Sequence, residues 1–160
     1  MRAEVSPHSS AVRADRKPGS CVVVAVDPST PSERAVRLAL SVERDDLRTE
    51  FVFCHVIDIP RMLARAETED YEIALELARE QARSLLDLCL AHAEEAGVFG
   101  RSCIRYGKPA AEILTLAKSF SADLIVVGNR RRPWVRRVLR GSVPDEIVHT
   151  SDIPVLIVQG

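Results

Sequence analysis

The stretch from residue 128 to residue 142 concentrates the residues best able to do chemistry. Arg130, Arg131, Arg132, Arg136, Arg137 and Arg140 are six of the eleven residues from 130 to 140, set between Gly128 and a Gly141-Ser142 pair. Guanidinium groups form charge-assisted hydrogen bonds with phosphate oxygens. Ser142 stands at the expected start of a helix, where unpaired amides and the dipole favour an anion. The run therefore reads either as an anion-binding loop or as a solvated connection folded over the sheet edge. Ser142 has the same double reading, because Ser142 with Asp145 three residues on is also a capping arrangement that needs no ligand. Pro144 removes one amide from that turn, and Asp145 and Glu146 add negative charge, so the cradle is poorer than an amide-rich one.

A second candidate is Asp27, at the end of the apolar run "CVVVAVD" and before "PST". Its carboxylate can accept hydrogen bonds from a ligand or organise the turn through its own backbone. Catalysis finds little support. His55, His92 and His149 are not spaced as a helical metal pair, and neither a nucleophile elbow nor a carboxylate pair marks a hydrolase. The expectation is a protein without a catalytic or metal site. Cys21, Cys54, Cys89 and Cys103 are scattered without a C-x-x-C pair, as suits small buried apolar residues in a reducing compartment.

These residues need a frame to position them. A chain of 160 residues, 46% hydrophobic, supports one buried core. Its 22 Lys+Arg against 23 Asp+Glu leave a formal charge of -1, so no global field draws it to nucleic acid or membrane. The arginine run is a local feature. A single Trp134 among the arginines is a thin stacking platform, so nucleic acid is not the expected partner. No apolar stretch forms a signal segment or a membrane span, and a cytoplasmic protein is expected. Residues 1–19 read as a disordered tail, and 20–160 as one domain.

Strands and helices alternate along that domain. Strands are expected at 21–27, 50–58, 98–107 (the weakest), 123–128 and 153–159. Thr30 is expected to cap the first helix, with Ala35, Leu38, Ala39 and Val42 on its apolar face. A long helix over 68–96 should bury Ile73, Leu77, Leu85, Leu88 and His92 and stop at Gly97. Two further helices begin at "KPAAEI" and "SVPDEIV". This order predicts an α/β fold, a doubly wound parallel sheet with right-handed crossovers. The strand at 21–27, apolar on both faces, belongs in the centre, and the mixed "GRSCIRYG" belongs at an edge. The apolar closing strand should leave an open edge that pairs with a second copy. Ligands of such sheets bind beyond the carboxyl ends of the strands, where the strand order reverses.

"VVVAVDPS", "FCHVID", "GKPAAEILTLAKSFSADLIVVG", the Gly-Ser thirteen residues after Gly128 and the closing "SDIPVLIV" together resemble the universal stress protein family over residues 21–159. The resemblance implies a five-stranded sheet in the order 3-2-1-4-5 and a homodimer through the strand at 154–158. In one branch of the family it also implies an ATP site built on G-x-x-G-x9-G-[S/T]. Carried onto this chain, that site comprises Asp27, Pro28, Val56 (through its backbone), Gly128, Asn129, Arg131, Gly141, Ser142 and Val143. Arg131 stands where the pattern has its middle glycine, and relatives without the full pattern often bind no ATP. If that glycine serves a left-handed backbone, arginine costs about 1–2 kcal/mol, which a charge-assisted bond of about 1.5–3 kcal/mol could offset. If a phosphate lies against its Cα, a Cβ collides and no charge repairs it. Two readings follow: an ATP-binding regulatory protein without rapid turnover, weakened at Arg131, or a nucleotide-free dimeric module whose arginine loop and Trp134 engage a partner or polyanion.

Overall fold

A computed structural model describes residues 4–7, 19–42, 49–64, 71–129 and 142–160. Five parallel strands form the body of the sheet: β2 (Ser20–Ala25), β3 (Thr49–Asp58), β4 (Phe99–Gly107), β5 (Leu124–Asn129) and β6 (Val155–Gln159). Their spatial order is β4-β3-β2-β5-β6, the 3-2-1-4-5 arrangement that the family resemblance implies. Val23 and Val24 on β2 and Phe51 and Val52 on β3 are fully buried, because both faces of these strands are covered. Helices α1 (Thr30–Val42) and α3 (Tyr71–Glu95) cover one face, over Val22, Val24, Phe51 and Phe53. Helices α4 (Pro109–Ser119) and α5 (Val143–Thr150) cover the other, over Val23, Val52 and Ile125. A short α2 (Ile59–Leu63), capped by the Asp58 carboxylate on the Arg61 amide, follows β3 directly.

Several expectations are corrected. Glu4–Pro7, read as part of a disordered tail, form β1 and pair antiparallel with residues 101–104, while 1–3 and 8–18 lie outside the described residues. The "GRSCIRYG" strand is therefore not the sheet edge: β1 takes up the unpaired backbone groups that an edge strand presents. Ser29, not Thr30, caps α1, its hydroxyl accepting from the Ser32 amide at 3.4 Å. On α1, Ala35 and Ala39 are buried but Leu38 and Val42 are exposed. On α3 the expected stripe is mostly the wrong one: Ile73, Leu77 and Leu88 are more than half exposed and His92 is half-buried, Leu85 alone packs against the core, and Leu75, Ala82, Leu86, Cys89, Leu90 and Ala93 face it. Close approach decides this. A Cβ on Gly100 of β4 would meet Ala93 and Leu90 at 3.2 Å, so the stripe carrying small side chains is the one that can seat against the sheet. Gly97 stops the helix as expected, at φ +71°, with Val98 N–H bonded back to the Ala93 carbonyl.

All four cysteines are reduced and buried. Burial pushes the Cys21 and Cys89 thiols up to about 12 and raises Cys54 and Cys103 as well. The folded protein should therefore show no reaction with an aromatic disulfide reagent near neutral pH and release four equivalents once denatured. The unfolded chain loses thiol protons near the ordinary value of 9.0 while the folded one keeps them, so stability should fall as pH rises from there toward 12. A pH-denaturation series reads this directly.

Candidate functional site

The helices that follow β2 and β5 lie on opposite faces of the sheet, α1 in one layer and α5 in the other. The crevice between the carboxyl ends of β2 and β5 is thus the switch point of the strand order. Asp27 and Pro28 are exposed there, at the end of β2. The Asp27 amide donates to the buried Ser32 hydroxyl at 2.9 Å, and the Ser29 hydroxyl donates to the Asp27 carboxylate. Asp27 therefore has the turn-organising role, tying β2 to the first turn of α1.

Gly128 and Asn129 end β5 beside this turn. A Cβ built on Gly128 would stand 2.6 Å from the Pro31 carbonyl carbon and the Ser32 amide nitrogen, both backbone atoms. Its φ is not positive, unlike those of Gly97 and Gly107. The glycine is thus required by the close approach of α1, independently of any ligand. Asn129 remains in register with Gln159, and its carbonyl accepts from the Gly160 amide at 3.2 Å.

Val56 lies one strand away. The β2–β3 ladder closes at the Val26 amide on the Cys54 carbonyl, 2.8 Å. Peptide groups alternate in direction along a strand, so Val56 is the next β3 residue whose N–H and C=O point toward β2, and they do so beyond its end. Ser142 and Val143 begin α5. The Ser142 hydroxyl donates to the Asp145 carboxylate at 2.6 Å and accepts from the Asp145 amide at 3.3 Å, the capping geometry expected from the sequence. Val143 packs on the α4/α5 side of the sheet. Of the first-turn amides, Pro144 has none, that of Asp145 is taken by the cap and that of Glu146 bonds the Ser142 carbonyl. His149 donates from Nδ1 to the Asp145 carbonyl at 2.7 Å.

The structure thus brings Asp27, Pro28, Val56, Gly128 and Asn129 to the carboxyl ends of β2, β3 and β5 and sets Ser142 and Val143 at the head of α5. Arg131 and Gly141, with the rest of the arginine run, lie outside the described residues. Among the described residues no His, Cys, Asp and Glu cluster could hold a metal ion, and no helix is long and apolar enough to cross a membrane. Sequence reasoning overlooked two residues here: Ser32, whose hydroxyl reaches back to Asp27, and His55, whose ring engages the Val26 carbonyl at 2.8 Å. A serine five residues after a strand-ending aspartate was the available signal for the first.

Comparison with known proteins fits this architecture. The family model "Universal stress protein family" matches residues 21–159. Universal stress protein MJ0531 of Methanocaldococcus jannaschii is 29% identical over 138 residues, covering 86% of this chain and 81% of that protein. A solved universal stress protein family member from Arabidopsis thaliana with AMP bound superposes with a TM-score of 0.62 at 24% identity, over 88% of this chain and 91% of that one. A universal stress protein in complex with cAMP gives 0.66 at 24% identity, over 88% and 96%. With the strand order, the switch-point crevice and a family match running from β2 to the last residue of β6, the chain belongs to the universal stress protein family.

Proposed function

We propose that this protein is a regulatory, nucleotide-binding member of its family that holds ATP at the crevice between β2 and β5 without rapid turnover. The observation that carries the reading is the convergence of Asp27, the outward-facing backbone of Val56 and the end of β5 at Gly128 on the switch point. Two relatives of the same fold, solved with AMP and with cAMP, support an adenine nucleotide as the ligand class. Mass spectrometry of the purified protein after denaturation tests it: a released adenine nucleotide is expected, and its absence after purification in ATP-containing buffer counts against the proposal.

A second reading keeps the fold and removes the ligand. Arg131 in place of the middle glycine favours it, as does an α5 start with one missing amide and two carboxylates, Asp145 and Glu146. The arginine loop then serves a protein partner or another polyanion.

In either case we place the protein in the cytoplasm as a homodimer. Val155, Leu156 and Ile157 of β6 are only partly buried, and β6 has no neighbour on its outer side among the described residues. An apolar open edge of this kind pairs with a second copy. Sedimentation at micromolar concentration should find a dimer that Ile157→Lys dissociates; a monomer throughout would contradict the assignment.

A further inference from the structure

A continuing parallel ladder would follow the Val26 N–H bond to the Cys54 carbonyl with a bond from the Val56 amide to the Val26 carbonyl. The chain does otherwise. Among the described residues the Val26 carbonyl accepts from the His55 ring, with Nδ1 at 2.8 Å, and not from the Val56 amide. A carbonyl oxygen only accepts, so Nδ1 carries the proton and the neutral ring is the Nδ1–H tautomer. His55 follows Cys54, the last β3 residue in register with β2, so its side chain meets the carbonyl one step past the end of the ladder.

We propose that His55 is a positioning residue that holds the Val26 carbonyl out of the ladder and so keeps the Val56 peptide group, the base contact that the family resemblance implies, open to the crevice. The ligand part of this rests on the nucleotide reading above; the placement of the Val56 amide does not. In an extended strand the N–H and C=O of one residue point the same way. An adenine edge offers a ring-nitrogen acceptor beside an amino donor, which that pair matches. A hypoxanthine edge offers an N–H beside a carbonyl, the reverse order, and is rejected because it leaves like groups facing each other.

The test uses the full chain and three variants. In nucleotide-free protein, amide hydrogen exchange read by NMR should find Val56 exchanging much faster than Val52 and Cys54. In His55→Leu the Val26 carbonyl closes onto the Val56 amide, which should slow. In His55→Asn the side-chain amide nitrogen stands near the former Nδ1 position, and parent-like exchange should return. AMP affinity should fall about tenfold in His55→Leu, the equilibrium value of about one hydrogen bond, along with the preference for AMP over IMP. Both should recover in His55→Asn. A folded His55→Phe provides the same arm if the leucine variant does not fold. A Val56 amide as protected as Cys54 in the parent overturns the proposal, as does unchanged AMP selectivity in His55→Leu or a failure of asparagine to rescue. If the parent binds neither AMP nor ATP, the nucleotide reading falls, and the exchange of Val56 still decides the role of His55.

Discussion

Gly128→Ala should lower the stability of the protein by about 2–3 kcal/mol, the cost of forcing an added carbon into a closely packed contact, and should weaken any crevice ligand with it. The added Cβ would sit 2.6 Å from two backbone atoms of α1, the Pro31 carbonyl carbon and the Ser32 nitrogen, and 2.7 Å from the Pro31 oxygen. Backbone cannot step aside as a flexible side-chain tip can. The first turn of α1 must lift from β5, and it carries Ser32, which accepts from the Asp27 amide, and Ser29, which donates to the Asp27 carboxylate. A melting temperature lower by about 5–10 °C is expected for a chain of this size. Gly97→Ala is the useful control. Its Cβ would meet nothing within 4 Å, but φ is +71°, so it should cost only the left-handed backbone penalty, about 1 kcal/mol. A Gly128→Ala protein as stable as the parent would contradict the described approach of α1 to β5.

That glycine shows how far the sequence could be read. Read as a motif position, Gly128 pointed to a phosphate loop; its packing against Pro31 and Ser32 gives it a structural reason that spacing alone could not reveal. The preserved interval to Gly141-Ser142 therefore identifies the family more firmly than the ligand. The strands were legible because buried parallel strands are nearly continuous apolar runs, as "CVVVAV" and "FVFC" are. The cap at Ser142 was legible because its bonding is local, within three residues. The buried face of α3 was not. Its sequence is apolar along two stripes, and the choice between them depends on Gly100, on a strand that follows the helix and packs beneath it. The covering of β4 by Glu4–Pro7 was hidden for a similar reason, since nothing in "EVSP" names its distant partner, Ser102 opposite Ser6 and Cys103 opposite Val5. His55 illustrates the same limit at the site. Its bond to Val26 spans 29 residues and depends on where the ladder ends.

Arg131 divides the two functional readings, and replacing it has the largest expected effect on binding. If arginine charge stands in for a missing backbone contact, Arg131→Ala should bind ATP about tenfold more weakly than the parent, the value of about one hydrogen bond. Arg131→Gly should bind at least as tightly, since it restores the family pattern. The measurement that tests the central claim most directly is a calorimetric titration of the parent protein, Arg131→Ala and Arg131→Gly with ATP at low and at raised salt. The account predicts binding to the parent that weakens as salt screens the charge contacts, a further loss in Arg131→Ala, and no loss in Arg131→Gly. ATP bound by Arg131→Gly but not by the parent would show that the Cβ excludes the nucleotide and that the natural chain is a nucleotide-free member. Silence in all three would contradict a nucleotide site at the crevice altogether.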